Sequence, residues 1–188
     1  MRSSMVGILS FMLLLTMCLP LRGDEAKKER KTYPEPPKMQ IDDKKTYKAT
    51  IDTSKGKIVV ELFPKEAPIT VNSFVFLAKE GFYDGLNFHR VEDWVIQGGD
   101  PSGDGTGGPG YQIKNEAKNN THKHHPGTLA MARASDPDSA GSQFYFTKKD
   151  ADYLDGSYTI FGQATEGLDV INKIEIGDTI KSIKIEEK

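Results

Sequence analysis

The alternation of apolar and polar residues becomes regular only after residue 45 of this 188-residue chain. Residues 47–51 and residues 57–62 both alternate, and the Ser54-Lys55-Gly56 segment between them has the composition of a turn. Two alternating runs on either side of a short turn are typical of a β-hairpin. The pattern therefore predicts that a folded domain begins with a hairpin.

Two later segments have helical rather than alternating spacing. Residues 69–78 form the first, which is expected to end at Gly81, and residues 168–174 form the second. The first helix should bury one stripe of side chains, formed by Ile69, Phe74 and Leu77. Short strands alternate with Gly-rich turns up to residue 161, and residues 180–185 alternate as a closing strand. Many short strands with only two helices predict a mainly β fold, an antiparallel barrel.

The N-terminus has the features of a targeting segment. Arg2 is followed by a nearly continuous apolar run over residues 6–15, which is the length of a signal-peptide core and short for a membrane span. The Leu15-Thr16-Met17-Cys18 sequence resembles a lipobox, which would place a lipid on Cys18. Cleavage without a lipid and an uncleaved apolar anchor are the alternatives. We assign residues 1–23 to this leader and expect an extracytoplasmic protein, with Cys18 as the candidate membrane anchor.

Residues 24–45 are rich in Lys, Glu, Asp and Pro and contain almost no apolar side chains. This composition predicts a disordered or semi-extended tether. Residues 46–188 remain as one domain, which is large enough to bury a core without disulfides. Cys18 is the only cysteine, so no internal disulfide can form.

Charge and motif spacing narrow the classes of partner and cofactor. The formal net charge of -2 gives no field that would recruit nucleic acid, and we expect a monomer. Residues 103–108 fit G-x-G-x-x-G, but Pro109-Gly110 follows where a dinucleotide site needs a helix. His122, His124 and His125 lack a carboxylate or cysteine to complete a metal-binding set, and we interpret them as a solvated loop. Neither a metal nor a cofactor is expected.

Four segments carry the remaining residues of chemical interest. These are Phe88-His89-Arg90-Val91 with residues 97–101, the Gly-rich residues 103–108, residues 127–133, and residues 141–146 with residues 153–156 and 161–162. At these positions the sequence resembles the cyclophilin family of peptidyl-prolyl cis–trans isomerases, from about residue 48 to the C-terminus. The resemblance implies a closed, eight-stranded antiparallel β-barrel capped by two α-helices. It also implies an outer groove that binds Xaa-Pro segments of unfolded or partly folded proteins and so assists their folding.

The resemblance assigns a role to each matched residue. Arg90 corresponds to the catalytic arginine, and Gln97 and Gln143 correspond to the polar residues that hold it and the substrate. The other matched residues line the groove: Trp94, Val95, Tyr145, Leu154 and Tyr158 at the proline ring, Ala132, Arg133 and Ala134 at the preceding residue, and Gly105 and Thr106 at one rim. The chain departs from the family in its Arg90-to-Gln97 loop, which is one residue shorter, and in having Trp94 where phenylalanine is usual.

The chemistry of prolyl isomerisation explains why an arginine is needed. Rotation about a peptide bond costs about 18–20 kcal/mol, because the C–N bond has partial double-bond character. In the twisted transition state the proline nitrogen regains a lone pair. A guanidinium aimed at that nitrogen binds the twisted state better than either planar state, which is how differential binding accelerates a reaction. No proton is transferred, so we expect His89 to make a structural hydrogen bond rather than to act as a base.

Two other functional classes compete with the isomerase. A non-catalytic module would dock Pro-containing loops of a fixed partner, but such a binder has no need of Arg90, Gln97 and Gln143 together. A hydrolase built on His89 is disfavoured, because the sequence has no activated serine or cysteine motif. A protease-coupled isomerisation assay on a proline peptide separates the isomerase from the other two classes.

Overall fold

A computed structural model describes residues 31–188 of the chain. Within that range the chain forms eight strands and two α-helices. The strands are β1 (Tyr47–Thr53), β2 (Gly56–Leu62), β3 (Arg90–Val91), β4 (Val95–Gly98), β5 (Thr128–Met131), β6 (Phe144–Thr147), β7 (Ile160–Glu166) and β8 (Ile180–Glu187). The helices are α1 (Pro68–Lys79) and α2 (Leu168–Lys173), and two short 3₁₀ turns cover Ala117–Asn119 and Asp152–Leu154. Neither α-helix of this range has the length and apolar character needed to cross a membrane. The predicted leader and Cys18 lie outside the described residues.

The eight strands form one curled sheet in the order β3-β4-β6-β5-β7-β2-β1-β8, and every neighbouring pair is antiparallel. The prediction of a mainly β, eight-stranded antiparallel fold with two helices is therefore confirmed. Closure of the barrel is not confirmed, because no ladder of residues 31–188 joins the two edge strands, β3 and β8. An isolated bridge between Asn87 and Thr179 lies beside these edges instead, and the Phe88 N–H donates to the Asp178 carbonyl.

Helix α1 begins and ends for identifiable reasons. Its first turn is capped by the distant Glu116, whose carboxylate accepts hydrogen bonds from the backbone N–H groups of Ile69 (3.0 Å) and Thr70 (2.9 Å). The helix stops just before Gly81, the residue predicted to end it: Gly81 has a φ of 66°, and the N–H of Phe82 donates back to the Leu77 carbonyl. This is the Schellman arrangement, which favours glycine because a side chain rarely adopts that backbone conformation.

Alternation along β4 and β6 separates the core from a second, smaller cluster on the other face of the sheet. Ile96, Phe144 and Phe146 point into the main core, which also contains the predicted helix residues Phe74 and Leu77, whereas Ile69 is only half-buried. Val95 and Tyr145, their sequence neighbours, belong to the second cluster. Successive strand residues face opposite sides of a sheet, so the strands that build the core also build the floor of an outer surface.

The predicted tether does not stand free of the domain where the structure describes it. Between Tyr33 and Gln40 the chain contacts α1: the Tyr33 ring packs edge-on against Phe76, with 5.0 Å between ring centroids, and the Gln40 N–H donates to Asn72 Oδ1 at 2.8 Å. This part of the segment is therefore packed on the domain rather than disordered, and its role as a tether stays a prediction. Ile41 also packs against the core, and the Tyr33 N–H donates to the Pro109 carbonyl at 2.8 Å, so several contacts hold this polar, proline-containing segment on the domain surface.

Candidate active site

A row of side chains crosses four strands on the outer face of the sheet. Arg90 of β3 lies opposite Gln97 of β4, Gln97 lies opposite Tyr145 of β6, and Tyr145 lies opposite Ala130 of β5. Directly opposed residues in antiparallel strands present their side chains on the same face. The strand register therefore brings Arg90, Gln97 and Tyr145 together, although they are far apart in the sequence.

Hydrogen bonds connect the polar members of this row to the Gly-rich loop. Arg90 Nη1 donates to Gln97 Oε1 at 3.2 Å, and Gln97 Nε2 donates to Gln143 Oε1 at 2.9 Å. Gln143 Nε2 in turn donates to the carbonyl oxygens of Gly105 and Gly107, both at 2.9 Å. Each amide is thus oriented by its neighbour, and the chain of contacts leads from the loop to the guanidinium.

All of the residues predicted for the site line one or both of two adjacent cavities. The first has a volume of about 590 Å³ and includes Arg90, Trp94, Val95, Gln97, Gly105, Ala132, Arg133, Tyr145, Leu154 and Tyr158. The second has a volume of about 730 Å³ and includes Gln97, Gly105, Thr106, Ala132, Arg133, Ala134 and Gln143. Four residues, Gln97, Gly105, Ala132 and Arg133, line both cavities. The two cavities therefore form one continuous groove, with Gln143, Thr106 and Ala134 in the half away from Arg90.

Aromatic rings form the walls of the first cavity. Tyr145 and Tyr158 meet edge to face, with 6.1 Å between ring centroids, and the Arg133 guanidinium covers the Tyr158 ring at 4.5 Å. Across the cavity Trp94 meets Tyr153 at 5.9 Å. Edge-to-face contacts of this kind are a preferred arrangement of aromatic pairs. The cavity thus has aromatic walls, with Arg90 among its polar lining residues.

The floor of this cavity is fixed from below by a histidine that the sequence analysis placed in a solvated loop. His124 is fully buried, and its Nδ1 lies 2.8 Å from Asp155 Oδ1 while its Nε2 lies 2.9 Å from the Tyr145 hydroxyl. A carboxylate can only accept, so in the neutral imidazole Nδ1 donates to Asp155 and Nε2 accepts from Tyr145. Burial raises the pKa of Tyr145, which keeps the hydroxyl protonated as this donor.

The neighbouring histidines behave differently from His124. His122 stacks on Phe63, with 3.8 Å between ring centroids, and His125 is exposed beside Asp150. The solvated-loop interpretation is therefore wrong for His124, and the three rings do not converge. No group of three potential metal-ligating His, Cys, Asp or Glu side chains occurs in the described part of the chain.

The backbone of the Gly-rich loop folds around the carboxylate of Asp100, which lies just before it. Asp100 accepts hydrogen bonds from the backbone N–H groups of Ser102, Asp104 and Gly105. A side chain at Gly107 would place its Cβ 2.2 Å from Asp100 Oδ1, so glycine is required there. These amides already have an acceptor, and the loop serves as one rim of the groove rather than as a phosphate cradle.

Comparison with known proteins assigns this fold and groove to a family. A family model described as "Cyclophilin type peptidyl-prolyl cis-trans isomerase/CLD" matches residues 48–188. The chain belongs to this family. A peptidyl-prolyl cis-trans isomerase of Helicobacter pylori is 54% identical to this cyclophilin over 142 residues, covering 74% of this chain and 86% of the relative. Isomerase B of Bacillus subtilis is 49% identical over 132 residues, covering 70% and 92%. A cyclophilin-type isomerase of Cryptosporidium parvum superposes with a TM-score of 0.70 at 30% identity, covering 76% of this chain and 99% of that one.

One expectation about this cyclophilin is wrong at His89. Both ring nitrogens of His89 are buried, and neither makes a hydrogen bond with any residue of the range 31–188. Burial lowers the pKa of His89, against an opposing effect of Asp100, and so favours the neutral ring. His89 borders the first cavity beside Arg90 as a packing residue rather than as the hydrogen-bonding residue that was predicted.

Three residues of the site were missed by the sequence analysis. His124 and Asp155 support Tyr145, and Glu92 contacts Arg90. The only sequence signal for the first pair was a histidine two residues before a Pro-Gly turn. Their contact spans 31 residues and becomes visible only when β6 and the turn before β5 are in place.

Proposed function

We propose that this cyclophilin accelerates cis–trans isomerisation of Xaa-Pro peptide bonds and thereby assists the folding of proteins outside the cytoplasm. The observation that carries the catalytic part is the placement of Arg90, which Gln97 holds beside a cavity with aromatic walls. The two bacterial relatives described above are 54% and 49% identical to this chain over the aligned residues and are named as isomerases.

The groove suits a peptide that contains proline. The proline ring fits the first cavity, against the Tyr145 floor and between Trp94, Leu154 and Tyr158. The residue before proline lies along Ala132 to Ala134, and the chain continues toward the second cavity. The apolar walls hold the ring by burial while the amino side of the peptide turns.

Arg90 supplies the interaction that favours the twisted peptide. A guanidinium has five N–H donors, and in the described residues Glu92 receives one from Nε and Gln97 receives one from Nη1. Nη2 makes no hydrogen bond within residues 31–188, so its donors are available to a bound peptide. A permanent charge aimed at the proline nitrogen stabilises the lone pair that appears only in the twisted state. No proton, nucleophile or metal takes part in this step.

Refolding kinetics separate this enzyme from the alternative, a non-catalytic module that binds Pro-containing segments of a partner. A substrate protein whose refolding is limited by prolyl isomerisation folds over tens of seconds to minutes. We expect catalytic amounts of the cyclophilin to shorten this slow phase. A module that only binds would leave the rate unchanged at substoichiometric concentration, and would slow folding when present in excess.

The extracytoplasmic location is proposed from the leader sequence, with the Arg2 charge, the apolar run over residues 6–15 and Cys18 as support. Lipid on Cys18 would give a stable membrane anchor when several acyl chains insert together. Mass spectrometry of the mature N-terminus of the native protein is the test. A lipid-modified Cys18 supports the anchored form, and an unmodified N-terminus beyond it supports a soluble exported form. An intact Met1 in a cytosolic fraction contradicts export.

A further inference from the structure

The short loop between β3 and β4 places one carboxylate against two residues of the groove. Glu92 Oε1 accepts a hydrogen bond from Arg90 Nε at 2.7 Å, and Glu92 Oε2 accepts one from the Trp94 indole Nε1 at 2.8 Å. Both oxygens are therefore used, each by a different side chain. The Arg90 guanidinium carbon also lies 5.4 Å from the centre of the Trp94 ring, within the range of a cation–π contact.

The backbone fixes the position of this carboxylate. The Glu92 N–H donates to the Val95 carbonyl at 2.9 Å, which closes a tight turn around Asp93 and Trp94. The Trp94 carbonyl accepts from the Lys148 N–H at 2.8 Å, which ties the turn to the end of β6. The shortened loop thus brings Glu92 and Trp94 to the same side of the turn, next to Arg90.

We propose that Glu92 is a positioning residue that sets the plane of the Arg90 guanidinium and couples it to the Trp94 wall of the proline cavity. This inference rests on the proposed isomerase function. A planar group is oriented when two different atoms are held, and here Glu92 holds Nε while Gln97 holds Nη1. The remaining nitrogen, Nη2, then has a defined direction before the peptide arrives, so less side-chain entropy is lost on reaching the transition state.

Charge attraction alone does not account for such a role. The Arg90 and Glu92 side chains are 42% and 46% exposed, and an ion pair at such a surface is usually weak. What distinguishes Glu92 is that one carboxylate joins the catalytic donor to a wall of the cavity. The hydrogen bond from Arg90 lowers the pKa of Glu92, which keeps it ionised as the double acceptor at neutral pH.

The chain offers a matched control in Asp93. This exposed residue carries the same charge one position away, and it hydrogen-bonds neither Arg90 nor Trp94 within the described residues. Glu92→Gln and Asp93→Asn therefore make the same change in net charge, but only the first replaces one of the two oxygens that accept from the guanidinium and the indole by an NH2 group, which can only donate. Trp94 is the only tryptophan in the chain, so all tryptophan emission comes from this site.

The experiment measures kcat and KM of full-length enzyme on a proline peptide, with the emission of Trp94 in the same samples. We expect Glu92→Gln to lower kcat by about two- to fivefold, to leave KM within error, and to shift the emission, whereas Asp93→Asn changes none of these. If Glu92→Gln matches Asp93→Asn in kcat, the inference is wrong, whether or not the emission moves. A rise in KM with unchanged kcat also contradicts it, since that would indicate lost peptide binding rather than lost orientation.

Arg90→Ala in the same assay keeps the inference separate from the function on which it rests. If Arg90→Ala loses most of its turnover while Glu92→Gln matches its control, the inference about Glu92 fails and the isomerase mechanism stands. If Arg90→Ala also keeps its rate, the proposed mechanism itself is wrong.

Discussion

The hydroxyl of Tyr145 should contribute more to the free energy of unfolding than the hydroxyl of any other tyrosine in the groove. Tyr145→Phe removes only that oxygen and leaves the ring at the floor of the cavity. His124 Nε2 then loses its partner, and the ring cannot turn to find another because Asp155 holds Nδ1 at 2.8 Å. His124 is fully buried and Tyr145 is only 4% exposed, so water has no access to the vacated position.

The size of the effect follows from the cost of an unsatisfied buried polar atom. Leaving such an atom without a partner costs about 1–3 kcal/mol, and we expect a loss of about 2 kcal/mol here. For a chain of this length that corresponds to a fall in Tm of about 4–8 °C. Tyr158→Phe is the matched control, since it makes the same chemical change in the same cavity. The Tyr158 hydroxyl has no hydrogen bond within residues 31–188, so this variant should change stability by less than about 0.5 kcal/mol.

Urea unfolding and thermal melting of the two variants test whether the Tyr145 hydroxyl stabilises the native state. Titration with a proline peptide, followed by Trp94 emission, adds a measure of peptide binding. Tyr145→Phe should be less stable and should also bind the peptide more weakly, because the ring at the floor is no longer held. If the two variants have the same free energy of unfolding, the Asp155–His124–Tyr145 arrangement does not stabilise the native state and the reasoning is refuted.

Other expectations follow from the same structure. Arg90→Lys should fold normally but turn over poorly in the isomerisation assay, since a point charge cannot keep both the Glu92 and Gln97 contacts; a rate near that of the native enzyme would contradict this. Tyr33→Ala should lower the free energy of unfolding by about 1–3 kcal/mol in urea, since its half-buried ring packs on α1; an unchanged value would show that this ring contact adds nothing to the stability of the fold. Turnover should be unaffected by a chelator, and a loss that added metal restores would overturn the metal-free mechanism.

The sequence predicted the elements well where local pattern and local chemistry agree. The first hairpin, both helices and the stop at Gly81 are signalled by alternation, helical spacing and a glycine at the C-terminus of α1. The resemblance to the family placed every assigned groove residue beside one of the two cavities. Whether Arg90, Gln97 and Gln143 act as assigned stays a prediction until their variants are assayed.

What the sequence could not predict depends on contacts between distant segments. His124 stands between polar residues, and only the fold shows that it is enclosed by Asp155 and Tyr145. The strip over residues 31–45 looks like a linker by composition, because a single tyrosine barely alters its hydropathy. Glu92 looks like an ordinary surface acid, and its double contact depends on the turn that brings Trp94 round beside Arg90.

The catalytic role of Arg90 is tested by a protease-coupled isomerisation assay of full-length protein beside Arg90→Ala, with circular dichroism to show that both are folded. We expect the native protein to accelerate conversion of a cis proline peptide, and Arg90→Ala to lower kcat/KM by roughly 10²-fold, the usual effect of removing a preorganised transition-state donor. A folded Arg90→Ala variant that keeps nearly the full rate would contradict this expectation, as would a folded native protein with no activity on any proline peptide.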